Sequence, residues 1–285
     1  ALACGTMSDR SMPTAIGRTF DPRLPSNRNA LLAAVAAGVA GVALGLTETD
    51  DWVQVLLRGV VLGAASLLGW ATARELDHDE PGGALVAAVL APLAVVSWGR
   101  PAFLAGVALL MAARLALRST GRVPSLVDQI FLLGLGAFAA LPIAGWVAAM
   151  TLSVALAREG SRSSDRAPAG RITGFGLALV ATVTHYAFGD AFTIPDGGDP
   201  TLAVVVGVIA LGSVFLIPRR PPVVPCDRTD TPPSGPDQFV ARMLAGTGAS
   251  AATLVSVSPE VAAPTVAALV GVAVYGRVRG RSAQT

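Results

Sequence analysis

Leu141-Pro142-Ile143-Ala144-Gly145-Trp146 stands in the middle of an apolar run that extends from about residue 127 to residue 157. As one helix, at 1.5 Å per residue, that run reaches about 45 Å, well beyond the roughly 30 Å hydrocarbon core of a bilayer. Proline inside a helix removes a backbone donor and clashes with the preceding turn, so Pro142 is where the run is expected to break. The fold turns on this reading. A break at Pro142 gives ten helices, and a continuous run gives nine.

The bilayer enters through composition. Of 285 residues, 53% are hydrophobic and 14% are charged, against about 25% charged in an average soluble domain. Further apolar runs fall at about 30–46, 52–73, 83–98, 101–117, 172–189, 201–217, 239–257 and 263–276. The expected class is all-α: a polytopic transmembrane helical bundle of about ten short helices, arranged as five tandem hairpins.

Arginine decides the number. All 21 basic residues are arginine, and loops retained in the cytoplasm keep their positive charge. Ten helices place 19 of the 21 on the cytoplasmic side together with both termini, leaving Arg58 within the second helix and Arg100 outside. Nine helices invert the eleven arginines from Arg158 onward. Trp52, Trp98, Trp146 and Tyr186 then mark outer helix ends and Trp70 and Tyr275 inner ones, at the headgroup level that such rings favour. The expected location is a cell inner (plasma) membrane, crossed many times. The lack of lysine fits a prokaryote with a GC-rich genome.

The chain divides into a polar cytoplasmic tail (1–29), an eight-helix membrane domain (30–220), a proline-rich cytoplasmic linker (221–237) and a C-terminal transmembrane hairpin with a basic tail (238–285). Met7 reads as a start, with residues 1–6 an upstream extension. Each hairpin opens after a proline, at Pro25, Pro81, Pro124, Pro168 and Pro236, and four of the second helices begin at Pro101, Pro142, Pro200 and Pro264. Proline is well placed at a first helical position, where its missing N–H has no partner to lose. The pattern suggests an internal hairpin repeat. Gly41 with Gly45 and Gly59 with Gly63 give small-residue spacing on both helices of the first hairpin; tight packing is the expectation, and a homo-oligomer seam is the alternative.

Candidate ligand sites fall on the cytoplasmic face. Arg74, Glu75, Asp77, His78, Asp79 and Glu80 form the densest polar cluster, and its oxygen ligands suit a hard cation such as Mg²⁺ at Asp77 and Asp79. The pattern Arg74-Glu75-x-Asp77-x-Asp79 loosely resembles one aspartate-rich loop of the UbiA-type prenyltransferases, which use two such loops to bind Mg²⁺-diphosphate. No other cytoplasmic loop here supplies the second, so membership is not assigned. Arg118, Arg122 and Asp128 lie in a second cytoplasmic turn, suited to phosphate or an anionic headgroup. If the two loops meet, they form an Arg/Asp site. A solvated loop whose acids cap the next helix near Pro81 is the plainer reading of the first, and an ordinary positive-inside loop that of the second.

Ionisable groups in or near the membrane are the other candidates. Arg58 can snorkel outward toward Asp50, Asp51 or Asp190. His185 and Asp190 could relay protons or pair with Arg58, although a satisfied interfacial histidine explains His185 as well. Cys4 and Cys226 lie far apart without metal-ligand spacing, and they read as unpaired thiols. The net charge of +2 gives no field that draws nucleic acid. No nucleotide-binding, zinc-protease or nucleophile–base motif is present, and no cofactor is expected.

The bilayer is the expected partner, with an anionic lipid or a small molecule as ligand. The leading functional expectation is a transporter or permease. The alternatives are a membrane-embedded enzyme acting on a phosphorylated lipid or prenyl substrate at the cytoplasmic face, through Arg74, Asp77, Asp79, Arg118 and Arg122, and a non-catalytic membrane subunit or scaffold.

Overall fold

The computed structural model describes residues 14, 16, 17, 20–77, 79–99, 101–120, 123–162, 167–189, 199–220, 222, 223 and 232–282. Among them there are ten α-helices and no strand. The helices are α1 (Pro25–Glu48), α2 (Trp52–Leu76), α3 (Pro81–Trp98), α4 (Phe103–Leu117), α5 (Leu126–Ala139), α6 (Ile143–Arg162), α7 (Ala167–Phe188), α8 (Pro200–Leu216), α9 (Gly235–Ser256) and α10 (Ala263–Ser282), with a 3-10 turn at Pro259–Ala262 before the last.

The expected break is present. Helix α5 ends at Ala139 and α6 begins at Ile143, where Trp146 N donates to Pro142 O at 3.0 Å as the new helix takes up its ladder. Gly145 is required by space: a Cβ there would lie 1.7 Å from the Ala139 carbonyl oxygen. Prolines open the other helices much as expected. Pro25, Pro81 and Pro200 occupy the first position of α1, α3 and α8, while Pro124 precedes Ser125, the N-cap of α5.

Among the described residues four segments are long and apolar enough to cross a membrane: Pro25–Glu48, Trp52–Leu76, Pro81–Trp98 and Pro259–Arg279. Helices α4, α5 and α8 are apolar but shorter. For α4 the reason is visible in its surroundings, since nearly every side chain from Ala105 to Leu117 is buried against other helices. A helix wrapped by protein need not match the bilayer thickness. The opposite pattern holds on the outside of the bundle, where Leu32, Val39, Val53, Val60, Ile130, Phe138, Ile172, Phe175, Leu179 and Val208 are all exposed. Apolar side chains exposed on α1, α2, α5, α7 and α8 suit a hydrocarbon surrounding.

Packing sorts the helices into two groups. Helices α1, α2, α3 and α10 pack on one another, with α1–α2 and α3–α10 the most extensive pairings; α4 to α9 form the second group, built round α4–α6, α6–α7, α8–α9 and α4–α9. The hairpins of the sequence are not the packing units. Only the first pairs its two helices extensively, and α9 and α10 of the last belong to different groups. The small residues explain which pairs close up. A Cβ on Gly41 would lie 2.9 Å from Gly59 Cα, joining α1 to α2, and one on Gly170 would lie 2.4 Å from Gly160 Cα, joining α7 to α6.

Helix α3 carries Pro92 in its interior. With no N–H at 92, the carbonyl of Ala88 loses its helical partner. The Ser66 hydroxyl on α2 donates to that oxygen at 2.8 Å, a neighbouring helix supplying the missing bond.

Candidate functional site

Charged side chains gather at one end of the bundle: the C-terminal ends of α2, α4, α6, α8 and α10 and the N-terminal ends of α3 and α9. Each ion pair joins two different elements. Glu75 in the last turn of α2 is buried, and Arg114 of α4 reaches it with Nη2 at 2.8 Å. Another Arg114 nitrogen donates to Ile16 O, which brings the N-terminal segment to the same end as the end of α10. Arg118 Nε lies 2.7 Å from Glu159 of α6. Arg158 of α6 meets Asp237 of α9 at 3.1 Å. Glu80, just before α3, takes Arg220 at 3.4 Å and also Arg279 of α10.

Arg242 is the most deeply placed of these arginines, with 3% of its side chain exposed. From α9 it donates Nε to Leu76 O at 2.8 Å and Nη1 to Pro218 O at 3.1 Å, and its Nη2 lies 3.8 Å from Asp77 Oδ2. Leu76 O is one of the carbonyls that α2 leaves unpaired at its C-terminus, where a cation is favoured. Burial lifts the Asp77 carboxyl above its ordinary range; Arg242 opposes the lift, and the nearby Glu80 and Asp79 carboxylates add to it.

Three of these pairs cross between the two helix groups: Glu75–Arg114, Asp77–Arg242 and Glu80–Arg220. All three lie at the arginine-rich end. One apolar core runs through both groups and is built of small and aliphatic side chains, among them Leu68, Ala84, Ala105, Ala108, Ala245 and Ala268.

The candidates from the sequence are distributed as follows. Glu75, Asp77 and Asp79 join the network, Asp79 Oδ2 accepting from Val223 N at 2.9 Å. Arg74 lies in the last turn of α2. Arg118 faces Glu159 rather than the acids at 75–80. Asp128 completes a capping box with Ser125, their backbone and side chains bonding reciprocally at the start of α5. Among the described residues Arg118 thus meets Glu159, whereas Asp77 and Asp79 meet Arg242 and Val223 N. Among the described residues no group of three or more His, Cys, Asp or Glu side chains is placed to hold a metal ion, and Asp77 and Asp79 are turned to Arg242 and to Val223. Arg122, Asp190 and His78 lie outside the described residues.

At the opposite end Arg58 pairs with Glu48, the last residue of α1. His185 has Nδ1 3.2 Å from both Ala140 O and Leu141 O, so it secures the turn between α5 and α6. Trp146 Nε1 donates to Thr182 Oγ1 at 3.3 Å and binds α6 to α7 beside it. The histidine is satisfied by these carbonyls, as the interfacial reading expected.

Arg114, Glu159 and Arg242 were not singled out from the sequence. A signal was present for all three: each stands within or at the edge of an apolar helical run, where an ionisable group needs a partner. Compared with models of known families, with curated proteins and with solved structures, the chain matches none.

Proposed function

We propose that the chain is an integral protein of a prokaryotic plasma (inner) membrane, crossing it ten times with both termini in the cytoplasm, and that it works as a transporter or permease. What supports the membrane reading is the apolar outer wall together with the collection of arginines at one end. The observation that carries the transporter reading is the position of the three ion pairs between the helix groups. Alternating access moves one helix group against another round a central site. The closed side then needs contacts that can separate.

Buried ion pairs such as Glu75–Arg114 and Asp77–Arg242 meet that need, because the attraction between the charges is largely offset by the water each has given up. Rehydrating them in an open state therefore has a modest net cost. An enzyme acting on a lipid phosphate would turn its arginines toward the incoming anion, whereas these are engaged with carboxylates of the chain itself.

The test uses spin labels at two exposed positions of the arginine-rich end, Ser161 on α6 and Val278 on α10, with the protein in nanodiscs. Pulsed electron resonance is expected to give two distance populations, the longer one growing when Asp77→Asn weakens the latch. One population in both proteins contradicts the transporter reading and favours a scaffold.

A further inference from the structure

Helices α1 and α3 do not close against each other along their whole length. Between them runs a half-open apolar groove of about 350 Å³, with Ala33, Ala37 and Ala40 on one wall, Val89 and Leu93 on the other, and Leu62 of α2 as its floor. At the end away from the ion-pair network it adjoins a second cavity of about 170 Å³ that shares Leu62 and Val96 with it and is lined by Arg58. The backbone in the wall is already satisfied where Pro92 exposes it, since Ser66 covers Ala88 O. The groove therefore offers an occupant no hydrogen bond until it reaches Arg58.

The mouth carries both signs. Arg58 pairs with Glu48, yet 28% of its side chain and 52% of that of Glu48 remain exposed. A guanidinium has five N–H donors, more than one carboxylate occupies. Arg58 lies six residues into α2, about 9 Å along the axis, within reach of the interface by snorkelling. A long apolar slot ending in an adjacent cation and anion matches an amphiphile whose own head carries both charges.

We infer that the groove between α1 and α3 holds one acyl chain of a phosphoethanolamine phospholipid, with the phosphate on Arg58 and the ammonium on Glu48. The inference rests on the membrane reading above. An anionic lipid satisfies Arg58 and is repelled by Glu48, so the pair selects the zwitterion.

Native mass spectrometry tests this on the full-length protein released from bilayers containing equal amounts of phosphatidylethanolamine and phosphatidylglycerol. The wild type is expected to retain phosphatidylethanolamine over phosphatidylglycerol by about fivefold, the ratio that corresponds to about 1 kcal/mol. Arg58→Ala and Glu48→Ala should each abolish the preference. Ala40→Leu, which fills the groove from an exposed position, should reduce retention of both lipids, with circular dichroism reporting that the helices remain. Equal retention of the two lipids by the wild type, a preference for phosphatidylglycerol, or a preference that survives both charge variants overturns the inference while leaving the membrane reading intact. Release of the protein from membranes without detergent overturns both.

Discussion

Arg242 acts on three segments at once, through Leu76 O at the end of α2, Pro218 O after α8 and the Asp77 carboxylate. Its replacement by alanine strands a nearly buried carboxylate and two carbonyls. Removing one partner of a buried pair costs about 3–5 kcal/mol, so Arg242→Ala is expected to lower the melting temperature in detergent far more than Arg277→Ala, whose side chain is exposed. Asp77 has the opposite sign from most paired acids. Its folded-state affinity for the proton is raised, so the native chain binds more protons than the unfolded one above about pH 4, the ordinary carboxylate range. Stability from this group is greatest below that range and is lost as pH rises through the elevated value. Subtracting the melting curve of Asp77→Asn from that of the wild type should expose this decline; a difference that grows with pH would reverse the assignment. The residues that composition made conspicuous, Asp77 and Asp79 among them, were legible as a polar cluster. Their partners were not, because Arg242 and Arg220 lie more than a hundred positions away and no local pattern couples them.

At the scale of elements, the decisive feature is the three-residue break between α5 and α6. It was legible, since proline chemistry and the thickness of a bilayer both demanded it. What holds it was only half legible. Pro142 ends one helix, but the turn also needs Gly145 against Ala139 O and His185 beneath Ala140 O and Leu141 O. Gly145→Ala drives a methyl into a backbone carbonyl that cannot give way, and overpacking of this kind costs about 1–3 kcal/mol or more. The expected outcome is a clear loss of thermal stability, whereas Gly134→Ala, where the added methyl meets nothing within 4 Å, should be neutral. Comparable melting temperatures for the two variants would remove the special role given to the turn. The hairpin repeat fares differently. Proline and arginine spacing records chain direction, and helix pairing depends on where glycines allow backbones to meet, which is why α6 closes on α7 across a hairpin boundary.

For the whole molecule, the sparse charges of the sequence divide into two roles. Those at one end fasten the two helix groups to each other, and Arg58 with Glu48 marks the other end. Arginine counting predicts a direction for every helix without any knowledge of packing, because loop charge is a property of sequence alone. The grouping of α10 with α3 escaped it, since long-range packing leaves no trace in a single chain. All ten helices are proposed to cross, with both termini on the cytoplasmic side. Single cysteines in a background lacking Cys4 and Cys226 test it most directly, probed in intact spheroplasts with a membrane-impermeant maleimide. Asp50→Cys and Asp199→Cys, separated by six helices, are expected to label from outside, and Ser161→Cys and Val223→Cys only after lysis. Labelling of Asp50→Cys without Asp199→Cys, or of Ser161→Cys in intact spheroplasts, would contradict the ten-helix topology.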